Sequence, residues 1–110
     1  MKEKLLELGN YATRVLLQAN VQCSVEVVGN EVKLSDQNKF SATLKVHEPG
    51  NGFSHRTFVC KCEFRSKSSD IYEDYPSKMV KRMAVWLHRQ RLGVAIQADA
   101  KAINALFKPL

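Results

Sequence analysis

Several features that would narrow the function are scarce in this sequence. No apolar stretch approaches the roughly 18 residues of a membrane-spanning helix, so we expect no membrane span. The first residues, MKEKLLELGNY, carry acids and no continuous apolar run, so we also expect no signal peptide. Only three of the 110 residues are cysteines. An odd cysteine count without a secretion signal predicts a reducing compartment, the cytoplasm.

The sequence also lacks the short motifs of common catalytic sites. It contains no G-x-S-x-G, P-loop, H-E-x-x-H or dinucleotide-binding fingerprint. Cys60 and Cys62 are separated by one residue, whereas a structural zinc site usually takes four ligands that include a more widely spaced cysteine pair. Either thiol could be paired with His47 or His55 as a base, but the strand pattern turns the thiols away from His47. We therefore predict that Cys60, Cys62 and the third cysteine, Cys23, are thiols in the core. We also predict that the protein is not an enzyme and binds neither a cofactor nor a metal.

Basic residues are unevenly distributed along the chain. Residues 1–50 hold six Lys/Arg and six Asp/Glu, whereas residues 51–110 hold eleven Lys/Arg and five Asp/Glu. The whole formal charge of +6 therefore lies in the second half. Such asymmetry favours a polyanionic partner, commonly nucleic acid or an anionic membrane surface. The alternative is an ordinary basic surface that faces water without a ligand.

The apolar pattern predicts a single domain over residues 1–110. Helical spacing gives way to a period of two at Val21, and four alternating segments then follow, separated by short turns. The fold class is therefore α+β, with an N-terminal helix, an antiparallel three- to four-stranded meander sheet and two C-terminal helices packed on one sheet face. Helices are expected at 2–19, 76–92 and 95–107, and a polar connection is expected at 66–74.

The helix predicted after Pro76 carries the residues best suited to a polyanion. The apolar side of a helical wheel holds Met79, Val80, Met83, Trp86 and Leu87, and the cations cluster on the opposite side, interrupted by Val85. Because no acid occurs between Asp74 and Asp99, these cations have no partner within the helix. The positive end of the helix dipole lies next to Lys78, so we expect the start of the helix to attract phosphate as well. The candidate contacts on this helix are Lys78, Lys81, Arg82 and Arg89.

Two loops extend the candidate surface. His55 and Arg56 lie between the last two predicted strands, and Arg65 and Lys67 lie where the last strand leaves the sheet. These four residues complete the predicted nucleic-acid-binding set.

Aromatic residues are missing from the predicted outer face of the sheet. A sheet that binds single-stranded RNA by stacking places aromatic residues there, so we do not expect that mode. Tyr72 and Tyr75 stand just before the basic helix, where aromatic residues either stack on unpaired bases or hold the helix to the sheet.

Residues 40–92 resemble the C-terminal two-thirds of a double-stranded RNA-binding domain. The shared parts are a strand, a glycine-containing loop with a histidine (GNGFSH), a strand with phenylalanines and a helix that opens SKMVKRMA. In that family the loop histidine and the lysines at the helix start contact minor-groove and backbone groups. The resemblance places these roles on His55, Lys78 and Arg82.

A second resemblance is to phage single-strand annealing proteins of the RecT type. The segment PSKMVKRMA, from Pro76, is similar to the helix that follows their sheet. The segments VEVV and NGF occur in the same order as similar segments of that family. Both resemblances imply binding of a phosphate backbone without catalysis.

The sequence thus predicts a non-catalytic nucleic-acid-binding protein. It would contact the phosphate backbone through the basic flank of one helix and adjacent loops, largely independently of base sequence. The alternative is a protein-interaction or regulatory module, in one version a homo-oligomer, whose basic flank meets an acidic protein partner. The pattern does not choose DNA over RNA, or single over double strands.

Overall fold

The chain forms a five-stranded antiparallel sheet with helices on one side. The structure, a computed structural model, describes residues 2–50, 52–90 and 100–106. Strands are hydrogen-bonded in the order β1-β2-β3-β4-β5, so each strand pairs with its neighbour along the chain. The elements are α1 (Lys2–Leu17), β1 (Ser24–Val28), β2 (Glu31–Ser35), β3 (Phe40–His47), β4 (Thr57–Phe64), β5 (Lys67–Glu73), α2 (Pro76–Gln90) and α3 (Ala100–Ala105). The predicted α+β class and meander are confirmed.

Strict alternation of side chains gives the sheet one apolar face. Leu44 lies opposite Cys60, and Cys60 lies opposite Ile71, so these three apolar residues continue one another across the central and last strands. The polar residues between them face the other way. A two-residue hairpin turn at residues 29–30 joins β1 to β2, and Gly29 takes the positive φ, 60°, that such a turn requires.

The sheet has one strand more than the sequence pattern predicts. Residues 66–74 were expected as a polar connection, but Lys67–Glu73 form β5, paired along its whole length with β4. Ile71 is the one apolar residue that β5 turns toward the core, and it is buried. Main-chain hydrogen bonds to one neighbouring strand and one buried side chain are enough to hold an edge strand in place. Such a strand needs no alternation of apolar and polar residues, so the sequence pattern did not predict β5.

Helix α1 covers the first half of the apolar face. Its buried residues follow helical spacing, as predicted, and each fully buried leucine contributes about 1.5–3 kcal/mol. The helix packs on β1, β2 and β3, and the closest approach is at Gly9. An added Cβ at Gly9 would lie 2.7 Å from Cγ1 of Val32 and 3.0 Å from Cγ1 of Val25. Gly9 therefore allows the helix to lie directly against the strands. Helix α1 ends at Leu17, and the chain then turns at Asn20, which has a φ of 59°.

Helix α2 covers the second half of the apolar face. It packs on β4 and β5 and touches α1, while α3 packs against α2. The predicted inner side of α2 is confirmed for Met79, Val80, Met83 and Leu87, whereas Trp86 is half-buried at the edge of the contact. Of the last predicted helix, residues 95–99 and 107 lie outside the described residues. None of the described helices is both long enough and apolar enough to cross a membrane.

We expect Gly9→Ala to lower the free energy of unfolding by up to about 2 kcal/mol. Alanine favours a helix over glycine by about 1 kcal/mol, but overpacking against two valines costs about 1–3 kcal/mol. Urea denaturation measures the change. Asn10→Ala, at the exposed neighbouring position, is the control and should stabilise by about 0.5 kcal/mol. Equal gains in both variants would show that the close approach is not tight.

Candidate nucleic-acid interface

The exposed cations of α2 border a groove between this helix and strand β5. Lys81, Arg82 and Arg89 line it from the helix, and its volume is about 380 Å³. The rest of the lining is polar and apolar rather than charged, with Ser69 and Ile71 from β5 and Val85 and Trp86 from α2. The groove therefore combines three cations with an indole ring. We call it the α2 groove.

One cation of the α2 groove is already paired. Nη1 of Arg82 donates to Oε1 of Glu73 at 2.8 Å and to the backbone oxygen of Tyr72 at 3.4 Å. The contact ties the second turn of α2 to the end of β5. Lys81 and Arg89 form no ion pair with any residue in the described ranges. These two cations are therefore the ones that remain open to an external anion.

The start of α2 is partly engaged within the protein. The expectation from the helix dipole stays a prediction, because Pro76 and Ser77 are buried whereas Lys78 is exposed. Pro76 has no N–H, and the N–H of Ser77 donates to Oδ1 of Asn104 in α3 at 3.1 Å. The N–H of Met79 donates to the carbonyl of Tyr75 at 3.2 Å. At this end, Nζ of Lys78 lies 5.2 Å from the centre of the exposed Tyr75 ring.

Two side chains of the loop before β4 contact carboxylates of the same chain. Nε2 of His55 lies 2.5 Å from Oδ1 of Asp74, just before α2. Nε of Arg56 donates to Oε2 of Glu48 at 3.0 Å. Two predicted nucleic-acid contacts are thus engaged with carboxylates of their own chain. This places His55 near the start of α2, as predicted, but leaves less positive charge there than the sequence suggests.

A chain of polar groups passes through His55. Oγ of Ser54 lies 3.1 Å from Nδ1 of His55, and the opposite ring nitrogen meets Asp74. The residue types match a hydrolytic triad, but the side chains of His55 and Asp74 are 60% and 65% exposed. A triad acid is buried so that it can orient the imidazole away from water. We therefore interpret these contacts among Ser54, His55 and Asp74 as structural hydrogen bonds that fix the loop at the surface.

Arg65 and Lys67 lie at the opposite end of the sheet from His55 and Arg56. The two pairs flank β4, whose eight residues separate them by about 27 Å at 3.4 Å per residue. Because Arg89 shares the α2 groove with Ser69, the end of α2 points toward the beginning of β5 and hence toward Lys67. The structure thus joins three of the eight predicted residues in one groove and divides the others between two ends.

The outer face of the sheet is neutral rather than basic. Cross-strand pairs of opposite charge follow one another across it: Glu26 with Lys33, Glu31 with Lys45, and Lys61 with Asp70. The expectation that this face lacks aromatic residues was wrong, because β5 places the exposed Tyr72 there, opposite Val59. Tyr72 stands there among paired charges, apart from the ring of Phe53, which stacks on His47 at the end of β3.

The three cysteines are free thiols, as predicted. Cys60 and Cys62 are buried, with their sulfur atoms 3.3 Å apart, and Cys23 is half-buried. The hydrogen bond to Cys62 and burial raise the pKa of Cys60 well above its usual value. Burial, with the charge of Asp36, raises the pKa of Cys23 from 9.0 to about 11. Cys60 and Cys23 therefore favour the neutral thiol, which is the weaker nucleophile.

Comparison with protein-family models, with curated proteins and with solved structures finds no match to this chain. The two family resemblances therefore stay predictions. The candidate interface is defined by its geometry alone.

The residues that surround the candidate cations were not predicted from the sequence. Trp86 was assigned to the apolar side of α2, although its position at the border of that side was a signal that it could reach the groove. Ser69 and Ile71 were missed because β5 was not predicted. The cap from Asn104 joins residues 27 positions apart and has no local signal.

We expect Asn104→Ala to destabilise the protein by about 1 kcal/mol, because an N–H at a helix start loses its acceptor. Urea denaturation measures the change. Lys101→Ala, at an exposed position of the same helix, is the control and should change stability by less than about 0.5 kcal/mol. Equal effects in the two variants would contradict the proposed cap.

We expect Cys23 in the folded protein to react with iodoacetamide at pH 8 about 100-fold more slowly than in the unfolded chain. A pKa raised from 9.0 to about 11 lowers the thiolate fraction by that factor. Mass spectrometry of peptides after timed labelling measures each cysteine separately. Cys60 and Cys62 serve as the buried reference and should be slower still. Labelling of Cys23 at the unfolded rate would contradict the stated environment.

Proposed function

We propose that this protein binds nucleic acid without catalysis, through phosphate contacts along the α2 groove. The observation that supports the proposal is the lining of the groove. Lys81 and Arg89 project from α2 with no ion-pair partner in the described part of the chain, and Trp86 stands between them. Lys78 and Arg82 extend the same exposed flank over about 17 Å, given a rise of 1.5 Å per residue.

Charge and shape account for this mode of binding. Cations that neutralise phosphates release condensed counterions, which gives affinity that is largely independent of base sequence. Arg82 is held by Glu73, so its guanidinium presents its remaining donors in a fixed position. The partly exposed Trp86 offers a surface against which an unpaired base can stack.

A salt series tests the proposal. The protein is titrated by fluorescence anisotropy into labelled single- and double-stranded DNA and RNA between 50 and 300 mM KCl. We expect log K to fall linearly with log salt. In the double variant Lys81→Ala/Arg89→Ala the slope should decrease by about 0.7–0.9 for each phosphate that the protein no longer neutralises. Arg82 is left in place because its removal would also leave the carboxylate of Glu73 without its partner.

The matched control is Lys33→Ala/Lys61→Ala, which removes the same charge from the outer face of the sheet. It should keep the wild-type slope, apart from a small general effect of net charge. Lack of binding to all four nucleic acids at 50 mM KCl would exclude the proposed function. Equal decreases in affinity in the two double variants would show that total charge, not the α2 groove, is responsible.

An acidic protein is the second candidate partner of the same flank. The pairs of Arg82 with Glu73 and His55 with Asp74 support it, because these side chains already contact carboxylates of the same chain at short range. Such a partner would be displaced by neither DNA nor RNA competitors. Two results together would support this alternative. The wild-type protein binds none of the four nucleic acids, and an acidic protein that co-purifies with it is lost in Lys81→Ala/Arg89→Ala.

A further inference from the structure

Three turns at one end of the sheet share an unfavourable backbone conformation. Asn20, Lys39 and Arg65 have φ values of 59°, 66° and 58°. The left-handed region is free of steric cost for glycine and is best tolerated by asparagine among the other residues. Asn20 is therefore an ordinary choice. Lys39 and Arg65 are not, because each places a long cationic side chain where glycine would be less costly.

Lys39 and Arg65 line one cleft. The turn between β2 and β3 meets the turn between β4 and β5, and the N–H of Arg65 donates to the carbonyl of Lys39 at 3.4 Å. The cleft between the two turns has a volume of about 630 Å³, and its other lining residues are Gln37, Asn38 and Ser66. Two cations, two amides and a hydroxyl thus surround a cleft that no carboxylate of the described residues lines.

The positive charge of this cleft is not neutralised locally. Asp36 lies in the same turn, but its carboxylate accepts the N–H groups of Asn38 and Phe40 at 3.0 Å and 2.8 Å and borders the neighbouring cleft. Within the described ranges, neither Lys39 nor Arg65 forms an ion pair. The guanidinium carbon of Arg65 lies 5.1 Å from the centre of the Phe64 ring, a contact that orients the group.

We propose that the cleft between these two turns binds a phosphate group through Lys39, Arg65 and the hydroxyl of Ser66. Arginine forms paired hydrogen bonds with phosphate oxygens, and lysine adds a point charge. Costly backbone conformations persist where function requires the side chain that they carry. The phosphate belongs either to a polynucleotide backbone or to a small phosphate compound. The site is separate from the α2 groove, and its chemistry does not depend on the function proposed there.

The first experiment locates the site. Backbone amide signals are followed by two-dimensional NMR while the full chain is titrated with inorganic phosphate, and separately with a twelve-nucleotide oligo(dT). We expect saturable shifts at residues 37–39 and 65–66. Shifts with inorganic phosphate indicate a small phosphate compound, and shifts with the oligonucleotide alone indicate a backbone phosphate. Absence of shifts at these residues with both probes would overturn the proposal.

The second experiment separates a binding role from a structural one. In Lys39→Gly/Arg65→Gly we expect the melting temperature to rise by a few degrees, because two unfavourable conformations are relieved. The affinity for the effective probe should fall at least about tenfold, because charged hydrogen bonds are removed. A purely structural role would lower the melting temperature and leave the affinity unchanged. Either of those two results would overturn the proposal.

Two controls complete the test. Asn20→Gly changes the third left-handed residue at the same end, which borders the neighbouring cleft, and should leave the affinity unchanged. Lys81→Ala/Arg89→Ala should leave the shifts at residues 37–39 intact, even where it weakens oligonucleotide binding at the α2 groove. Loss of those shifts in either control would overturn the assignment to this cleft.

Discussion

The apolar face of the five-stranded sheet must be covered, and this requirement determines the arrangement of the helices. Two helices are needed because the face is wider than one helix, and α1 and α2 divide it between the early and the late strands. Gly9 lets α1 approach the strands closely, and Met79 and Met83 fill the contact under α2. Once α2 is held by its apolar side, its basic side faces outward beside β5. The α2 groove is thus a consequence of how the core is closed.

Much of this arrangement could be predicted from local pattern. A period of two marks which residues of β1 to β4 face the core, and helical spacing marks the buried sides of α1 and α2, because burial selects residue type at every position of these elements. Strand β5 was not predicted because, of its seven residues, only Ile71 packs into the core. At the edge of a sheet, main-chain hydrogen bonds to one neighbour hold a strand whose side chains are mainly polar.

The candidate site was less predictable than the fold. Charge type and exposure could be predicted for Lys81 and Arg89, since a helix with no acid must present its cations to solvent or to a partner. The pairing of Arg82 with Glu73 and of His55 with Asp74 could not, because it depends on how β5 and a loop meet in space. Backbone conformation is also hidden from residue type. Nothing local indicates that Lys39 and Arg65 occupy left-handed positions where glycine or asparagine is usual.

The open order of the sheet leaves two edge strands, and both carry an acid at their midpoint. Glu26 is the third of five residues in β1, and Asp70 is the fourth of seven in β5. If two copies met edge to edge in antiparallel register about these centres, two carboxylates would face each other across the new pair of strands. Like charges directly opposite are unfavourable in a sheet, and natural proteins use such residues to block unwanted pairing. The two acids at these midpoints therefore disfavour edge-to-edge pairing of two copies in this register.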